Sequence, residues 1–159
     1  MLQKILSRQF FLKTIESIAT LALLTAFIAE YAFGIQPCPL CLYERYVYAA
    51  LIILGIIDSF WYHPALFYLV LVVILGGIGL SFYHVGVELH WWQAPSSCVG
   101  ISGISAGNFE DFEAQFMQKP VVRCDQITWV IFDVSATIWN MLLFCAMGLY
   151  ALIVKFKSC

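Results

Sequence analysis

Charge is what this chain has least of. Only 11% of its 159 residues are Asp, Glu, Lys or Arg, while 62% are hydrophobic; a soluble domain usually carries about 25% charged residues. A soluble fold of this length would have a core but too few charges to cover it, so lipid must cover much of the surface. A net charge of −2 provides no global basic field, which argues against nucleic acid as a partner. Internal repeats and low-complexity segments are also missing, and the length suits one domain, 1–159.

The few basic residues are unevenly placed. Lys4, Arg8 and Lys13 lie near the N-terminus and Lys155 and Lys157 near the C-terminus, with only Arg45, Lys119 and Arg123 between them. Four long apolar stretches separate these charges, and a spanning helix needs about 20 mainly apolar residues. Helices are expected over approximately 14–33, 42–60, 65–84 and 131–154. The second is short as an apolar run and is extended by Tyr43 and Asp58–Phe60. The first, with its basic flank, could be taken for a secretory signal. Its apolar run exceeds the ~7–15 residues of such a segment, and three further apolar segments would remain to be explained. The expectation is an all-α integral membrane four-helix bundle.

The connections are very unequal: a short first loop, 34–41, a tight turn from Asp58 to Pro64, and a long second loop, 85–130. Loops of that second length are usually functional or disordered. Positive residues favour the cytoplasmic side, and long loops weigh little in that rule. With an even number of spans, both basic termini are expected in the cytoplasm and both unequal loops outside. Trp91, Trp92 and Trp129 fit an aromatic belt at the outer interface. Within the long loop, Phe109, Phe112 and Phe116 recur at helical spacing with Glu110, Asp111 and Glu113 among them. They read as a surface-lying amphipathic helix or as a turn of helix capping the bundle.

Four of the six cysteines, Cys38, Cys41, Cys98 and Cys124, fall on the outward, oxidising side. Cys145 lies within the fourth apolar stretch, where a small core hydrophobe is the simpler reading, and Cys159 ends the cytoplasmic tail as an incidental thiol. In Cys38-Pro39-Leu40-Cys41 a disulfide would close a very small ring. A 15-residue ring yields about 3 kcal/mol and a smaller one yields less. Such a pair is a poor staple but a good switch, because the second thiol is always at hand to resolve a mixed disulfide. Pro39 suits the first turn of a helix, which puts Cys41 where the helix dipole favours a thiolate. Arg45 follows at i+4 on the same face. At a membrane edge it needs a partner, which a thiolate or a quinone oxygen would supply.

Other chemistries fit less well. A zinc site would require Cys98 and Cys124 as a second close pair, and they are far apart in sequence. Covalent haem attachment needs His directly after the second Cys, where Leu42 stands. A b-type haem needs facing histidines, but His63 and His84 belong to opposite ends of the third helix. No metal is expected. A Cys98–Cys124 bridge would close a long ring and supply roughly 3–4 kcal/mol as a structural staple. Beside an outward CxxC, a second exchanging disulfide becomes the better reading. Gly100, Gly103 and Gly107 would keep that segment pliable. Four cysteines allow three pairings. Glu16, Glu30, Glu44, Asp58 and Asp133 fall near helix ends and are expected to be mostly solvated, with Glu44 tuning Arg45 and Asp133 available as a capping acid for the fourth helix.

The run Cys38-Pro39-Leu40-Cys41-Leu42-Tyr43-Glu44-Arg45 resembles the CxxC-x-x-x-Arg signature of the disulfide bond formation protein B (DsbB) family. Arg123-Cys124-Asp125, with Trp129 and Trp139-Asn140 beyond, resembles that family's second-loop cysteine and its lead into the last helix. The helix order and the short and long loops match as well. The resemblance implies a four-helix protein of the bacterial inner membrane with its redox loops in the periplasm. It implies a quinone-dependent thiol oxidase that reoxidises a soluble, thioredoxin-like partner (DsbA-like) and passes electrons to ubiquinone or menaquinone. By the same resemblance, Cys98 forms the mixed disulfide with the partner and Cys124 is its mate. Cys38 exchanges with the loop pair, Cys41 is the quinone-facing thiolate, and Arg45 and His84 hold the quinone. The partner couple is strongly oxidising, near about −120 mV, so a quinone is a sensible electron sink.

Two other readings belong beside this one. A vitamin K epoxide reductase-like enzyme shares the chemistry, but its loop cysteines precede the CxxC, whereas here the CxxC comes first. A structural membrane protein with a disulfide-stapled outer loop explains Cys98 and Cys124 but not a CxxC followed by Arg45. Within the DsbB type, a paralogue dedicated to one specific oxidase is also compatible with the sequence.

Overall fold

A chain this apolar has no partner in lipid for its backbone N–H and C=O groups except itself, and the α-helix satisfies them within one segment. The computed structural model describes residues 8–61, 63–96, 98, 122–127 and 129–157. In chain order these form α1 (Arg8–Phe33), α2 (Pro39–Phe60), α3 (Pro64–Glu88), β1 (Val130–Ile131), β2 (Val134–Ser135) and α4 (Ala136–Lys157). All four helices are long and apolar enough to cross a membrane; even the 22-residue ones reach about 33 Å against a hydrocarbon core of about 30 Å.

Local chemistry sets the helix ends. Pro39 and Pro64 open α2 and α3 in the first turn, where a missing N–H costs nothing and φ is already helical. The preceding side chains act as caps: Cys38 Sγ accepts the Cys41 N–H at 3.2 Å and His63 Nδ1 accepts that of Ala65 at 3.2 Å. Helix α1 ends at Gly34, whose φ of +69° lets the Ile35 N–H reach back to the Ala29 carbonyl at 3.1 Å.

Consecutive helices run antiparallel, α1 against α2, α2 against α3 and α3 against α4, and α4 closes on α1. The central packing is aromatic. Phe11 of α1 meets Phe67 of α3 at 5.3 Å and Tyr150 of α4 at 5.1 Å between ring centroids, and Tyr48 of α2 stacks on Phe144 of α4 at 4.7 Å. Gly77 makes room for the Phe144 ring: a Cβ there would lie 2.6 Å from it. Leu21, Val72, Leu149 and Ile153 point outward and are exposed, as a lipid-facing surface requires.

Several boundaries differ from the sequence expectation: α1 is already helical at Arg8 rather than from near residue 14, and α4 runs to Lys157 rather than to near residue 154. Helix α2 starts at Pro39 rather than near residue 42, because proline and its cap initiate it. Helix α3 continues to Glu88 instead of stopping near residue 84. Helix α4 begins at Ala136, not near residue 131, because residues 130–135 turn back as an antiparallel hairpin with Val130 opposite Ser135. Asp133 is therefore no helix cap. It sits with Phe132 in the hairpin turn, both at positive φ, and Ser135 Oγ instead accepts the Ile138 N–H of α4's first turn at 3.4 Å. The Phe109, Phe112 and Phe116 segment, the loop glycines and Cys159 lie outside the described residues.

Candidate active site

Antiparallel packing brings to one end of the bundle the last turns of α1 and α3, the first turns of α2 and α4, and the hairpin. Cys38 and Cys41 lie there as free thiols, with their sulfurs 2.7 Å apart. Cys38 accepts the Cys41 N–H at 3.2 Å and lies against the Cys41 thiol. These hold its pKa below the ordinary thiol range, the neighbouring thiol contributing most, against the opposing effect of burial. Position explains this: Cys38 is the N-cap of α2, where unpaired N–H groups and the dipole favour negative charge. From the sequence that advantage falls to Cys41, which does lie in the first turn; the direct backbone bond goes to Cys38.

Beyond Cys38 stands a row of buried polar groups. His84 Nε2 of α3 lies 3.4 Å from Cys38 Sγ, and His84 Nδ1 lies 3.1 Å from Glu44 Oε1 of α2. The His84 and Glu44 side chains are only 3% and 8% exposed. A carboxylate can only accept, so Nδ1 donates to Glu44 and leaves Nε2 free to take a proton from the Cys38 thiol. Glu44 is thus buried and bonded to His84, not solvated and tuning Arg45 as its sequence position suggests. Neighbouring helix residues point about 100° apart, so Glu44 faces α3 while Arg45 faces α1.

Arg45 forms an ion pair with Glu30, donates to the Ala26 carbonyl at 3.1 Å, and lies over the Phe27 ring at 5.2 Å. The partner the sequence argument required is thus, in the first place, a carboxylate of α1. A guanidinium has five N–H donors, so this does not exhaust it.

Cys98 and Cys124 are joined by a disulfide, with a Cα separation of 5.2 Å. Both are buried and share a cluster with Cys38, Leu40 and Val87, while Cys41 packs against its edge. The structure therefore brings Cys38, Cys41, Cys98 and Cys124 together, and the zinc arrangement using Cys98 and Cys124 has lost its second pair of ligands. Next to Cys124, Arg123 donates two hydrogen bonds to Asp125, at 2.9 and 2.6 Å. The first of its effects, the hydrogen bonding, holds the Asp125 carboxyl below the usual carboxylate range.

A cavity of about 330 Å³ opens against this constellation, at the lower end of the range for ligand pockets. Cys38, Cys41, Glu44, Arg45, His84 and Asn140 bring polar atoms to it; Ala22, Ala26, Ala29, Ile35 and Leu143 make the remainder apolar, and Trp129 and Ile131 of the hairpin region close one side. Asn140 had drawn notice only as part of a motif. It accepts from Tyr48 Oη at 2.5 Å and donates to Ser81 Oγ at 3.0 Å, tying α2, α3 and α4 together beside the cavity. The sequence signal for Asn140, Glu30 and Glu44 was the same in each case: a polar residue inside an apolar stretch needs a partner, though which helix supplies it is a matter of packing.

Membrane-spanning helices, a CxxC pair at a helix start and a second disulfide packed against it define a multi-pass membrane disulfide oxidoreductase. Residues 8–154 match the family of disulfide bond formation protein DsbB. The chain is 34% identical over 130 residues to an uncharacterised protein of Rickettsia prowazekii, covering 80% of this chain and 76% of that one. It is 30% identical over 134 residues to disulfide bond formation protein B of Xylella fastidiosa (79% and 76% covered) and 29% identical over 142 residues to the protein of that name from Xanthomonas oryzae pv. oryzae (84% and 81%). The chain belongs to the DsbB family, and its general activity is disulfide bond formation.

Proposed function

We propose that this protein is a quinone-dependent thiol oxidase of the bacterial inner membrane, reoxidising a soluble DsbA-like dithiol protein in the periplasm and passing the electrons to ubiquinone or menaquinone. The observation that carries the reading is the shared cluster of Cys38, Cys98 and Cys124 beside a cavity that Cys41, Arg45 and His84 also line. Basic residues at the opposite end, Arg8 and Lys13 of α1 with Lys155 and Lys157 of α4, favour cytoplasmic termini.

The cavity suits a quinone ring. Its walls are mostly apolar, polar atoms of Arg45 and His84 line it, and the Arg45 guanidinium supplies the donors that a carbonyl oxygen requires. When bound there, the quinone supplies a two-electron, two-proton acceptor. The residues of the chain do the rest. A reduced partner thiolate attacks Cys98 and expels Cys124 as a thiolate; the partner's second thiol resolves the mixed disulfide, so the partner gains a disulfide and Cys98 and Cys124, having taken its two electrons and two protons, become thiols. A loop thiolate then attacks Cys38 of an oxidised Cys38–Cys41 pair, and resolution leaves that pair reduced. His84 takes the Cys38 proton at Nε2 while Glu44 holds the ring in the required orientation. Arg45 donates hydrogen bonds toward developing negative charge, fixed in place by Glu30.

Cys98 and Cys124 are buried in the arrangement described, so the partner must engage after the chain around them moves. The test uses purified protein in detergent with a reduced DsbA-like partner and a soluble quinone, followed by quinone absorbance. Quinone loss matched mole for mole by partner oxidation, and absent in Cys38→Ser and Cys41→Ser, is expected. Disulfides that exchange with the partner while quinone stays intact would refute the acceptor; disulfides that resist exchange altogether would refute the oxidase.

A further inference from the structure

The free thiols Cys38 and Cys41 and the ring of His84 offer three donor atoms within 4.8 Å of one another. A zinc-type tetrahedral centre has metal–sulfur bonds of about 2.3 Å and metal–nitrogen bonds of about 2.0–2.1 Å. Those lengths at tetrahedral angles set a sulfur–nitrogen edge of about 3.5 Å and a sulfur–sulfur edge of about 3.8 Å. The observed Cys38 Sγ to His84 Nε2 distance is 3.4 Å. The two sulfurs, at 2.7 Å, would have to part by about 1 Å, a side-chain movement in the first turn of α2.

Two further features complete such a centre. Histidine ligands of metals usually give their other ring nitrogen to a carboxylate, which fixes the tautomer and makes the ligand more basic; Glu44 stands 3.1 Å from His84 Nδ1. The donors also line the cavity, which leaves a fourth position for water or another small ligand. Charge balances as well: two thiolates and a neutral imidazole cancel a dication, so no net charge is buried at the donors.

We infer that reduced Cys38 and Cys41, together with His84, form a binding site for a thiophilic divalent cation of the zinc class, available only in the dithiol state. Two thiolates and an imidazole select soft and borderline ions over magnesium or calcium. Binding moves no electrons; it forms two metal–sulfur bonds and one metal–nitrogen bond and releases two thiol protons. Oxidation joins the sulfurs and abolishes the site. An ion in place prevents Cys38 and Cys41 from forming a disulfide, so it arrests the protein in its reduced form. Sequence spacing suggests zinc only with Cys98 and Cys124 as further ligands; the third donor comes instead from a helix end 46 residues away from Cys38.

The experiment uses the full chain in detergent, reduced and freed of reductant without oxygen. Zinc is titrated against a chromogenic chelator, and cobalt(II) is titrated separately, read by its sulfur-to-metal charge-transfer and ligand-field bands. Because reduction also frees Cys98 and Cys124, the titrations are repeated with both replaced by serine. One ion per chain, a tetrahedral cobalt spectrum and release on thiol oxidation are expected. Affinity should fall at least about a hundredfold in Cys41→Ser and His84→Ala and about 10–100-fold in Glu44→Gln. No stoichiometric binding by the reduced protein would overturn the inference, as would affinity unchanged in His84→Ala, which assigns the ion to other thiols. If the double-serine protein does not fold, His84→Ala and Glu44→Gln in the native cysteine background decide the matter. No quinone takes part, so the metal site and the quinone reading can fail separately.

Discussion

The two ends of the bundle each bury an acid among ionisable neighbours, and among the described residues only one of them does so beside a sulfur. At the cysteine end Glu44 is 6% exposed and hydrogen-bonded to His84, which in turn faces Cys38 and the cavity. At the other end Asp58 is 7% exposed, and its Oδ1 has no hydrogen-bond partner among the described residues. Nearby, Lys13 is paired with Glu16 at 3.0 Å, bonded to Ser59, and 3.3 Å from the Gly55 carbonyl. Burial of a carboxylate is common to both ends, so it does not by itself mark a site. Continuity does: at the cysteine end acid, base, nucleophile and open space follow one another, and at the other end the polar groups satisfy mainly each other.

The sharpest way to break this comparison is to remove the sulfur. Cys41→Ser is expected to reduce partner-dependent quinone reduction to background, measured by quinone absorbance; persisting turnover would mean that the pair is not the route. The acids come next. Glu44→Gln keeps the size but weakens the hold on His84. A hydrogen bond to a charged group is worth about 1.5–3 kcal/mol, so a roughly 10–100-fold lower rate is expected. Asp58→Asn, distant from the sulfurs, should leave turnover within about twofold. Equal losses from the two substitutions, in the same kinetic assay, would erase the distinction between the ends.

A smaller effect tests the scaffold between them. Gly77→Ala places a methyl 2.6 Å from the buried Phe144 ring and should destabilise by about 1–3 kcal/mol, read as a lower midpoint in thermal or denaturant unfolding in detergent. The smallest belongs to Arg123 and Asp125. The folded carboxyl is held below its unfolded pKa, so whatever stability the pair adds is present above the ordinary carboxylate range and lost as pH falls through the depressed folded value. This is a partly exposed pair of neighbouring residues, and Arg123→Ala should shift the unfolding midpoint by about a degree or less at neutral pH, with the difference vanishing in acid. A difference that grew in acid would contradict the assignment.

The helices were legible because lipid leaves the backbone few options, and length with hydropathy is enough to find them. Cys38, Cys41 and Arg45 were legible because their chemistry depends on local spacing. The partners were not. Nothing local says that Glu30 takes Arg45 or that Glu44 turns to His84 across 40 residues; these depend on how the helices rotate when packed. The hairpin was missed for a different reason. Residues 130–135 are apolar enough to read as the start of a helix, and the turn at Phe132 and Asp133 uses positive φ without a glycine to announce it.

The hydrophobic seal around the loop disulfide has its own significance. Cys98 is 0% exposed and Cys124 2%, so a small diffusing thiol meets no sulfur there. Under the proposed function, selectivity among electron donors has a mechanical origin, like a fuse box behind a panel: a donor large enough to grip and displace the surrounding chain gains contact, and a stray reductant of the same potential does not.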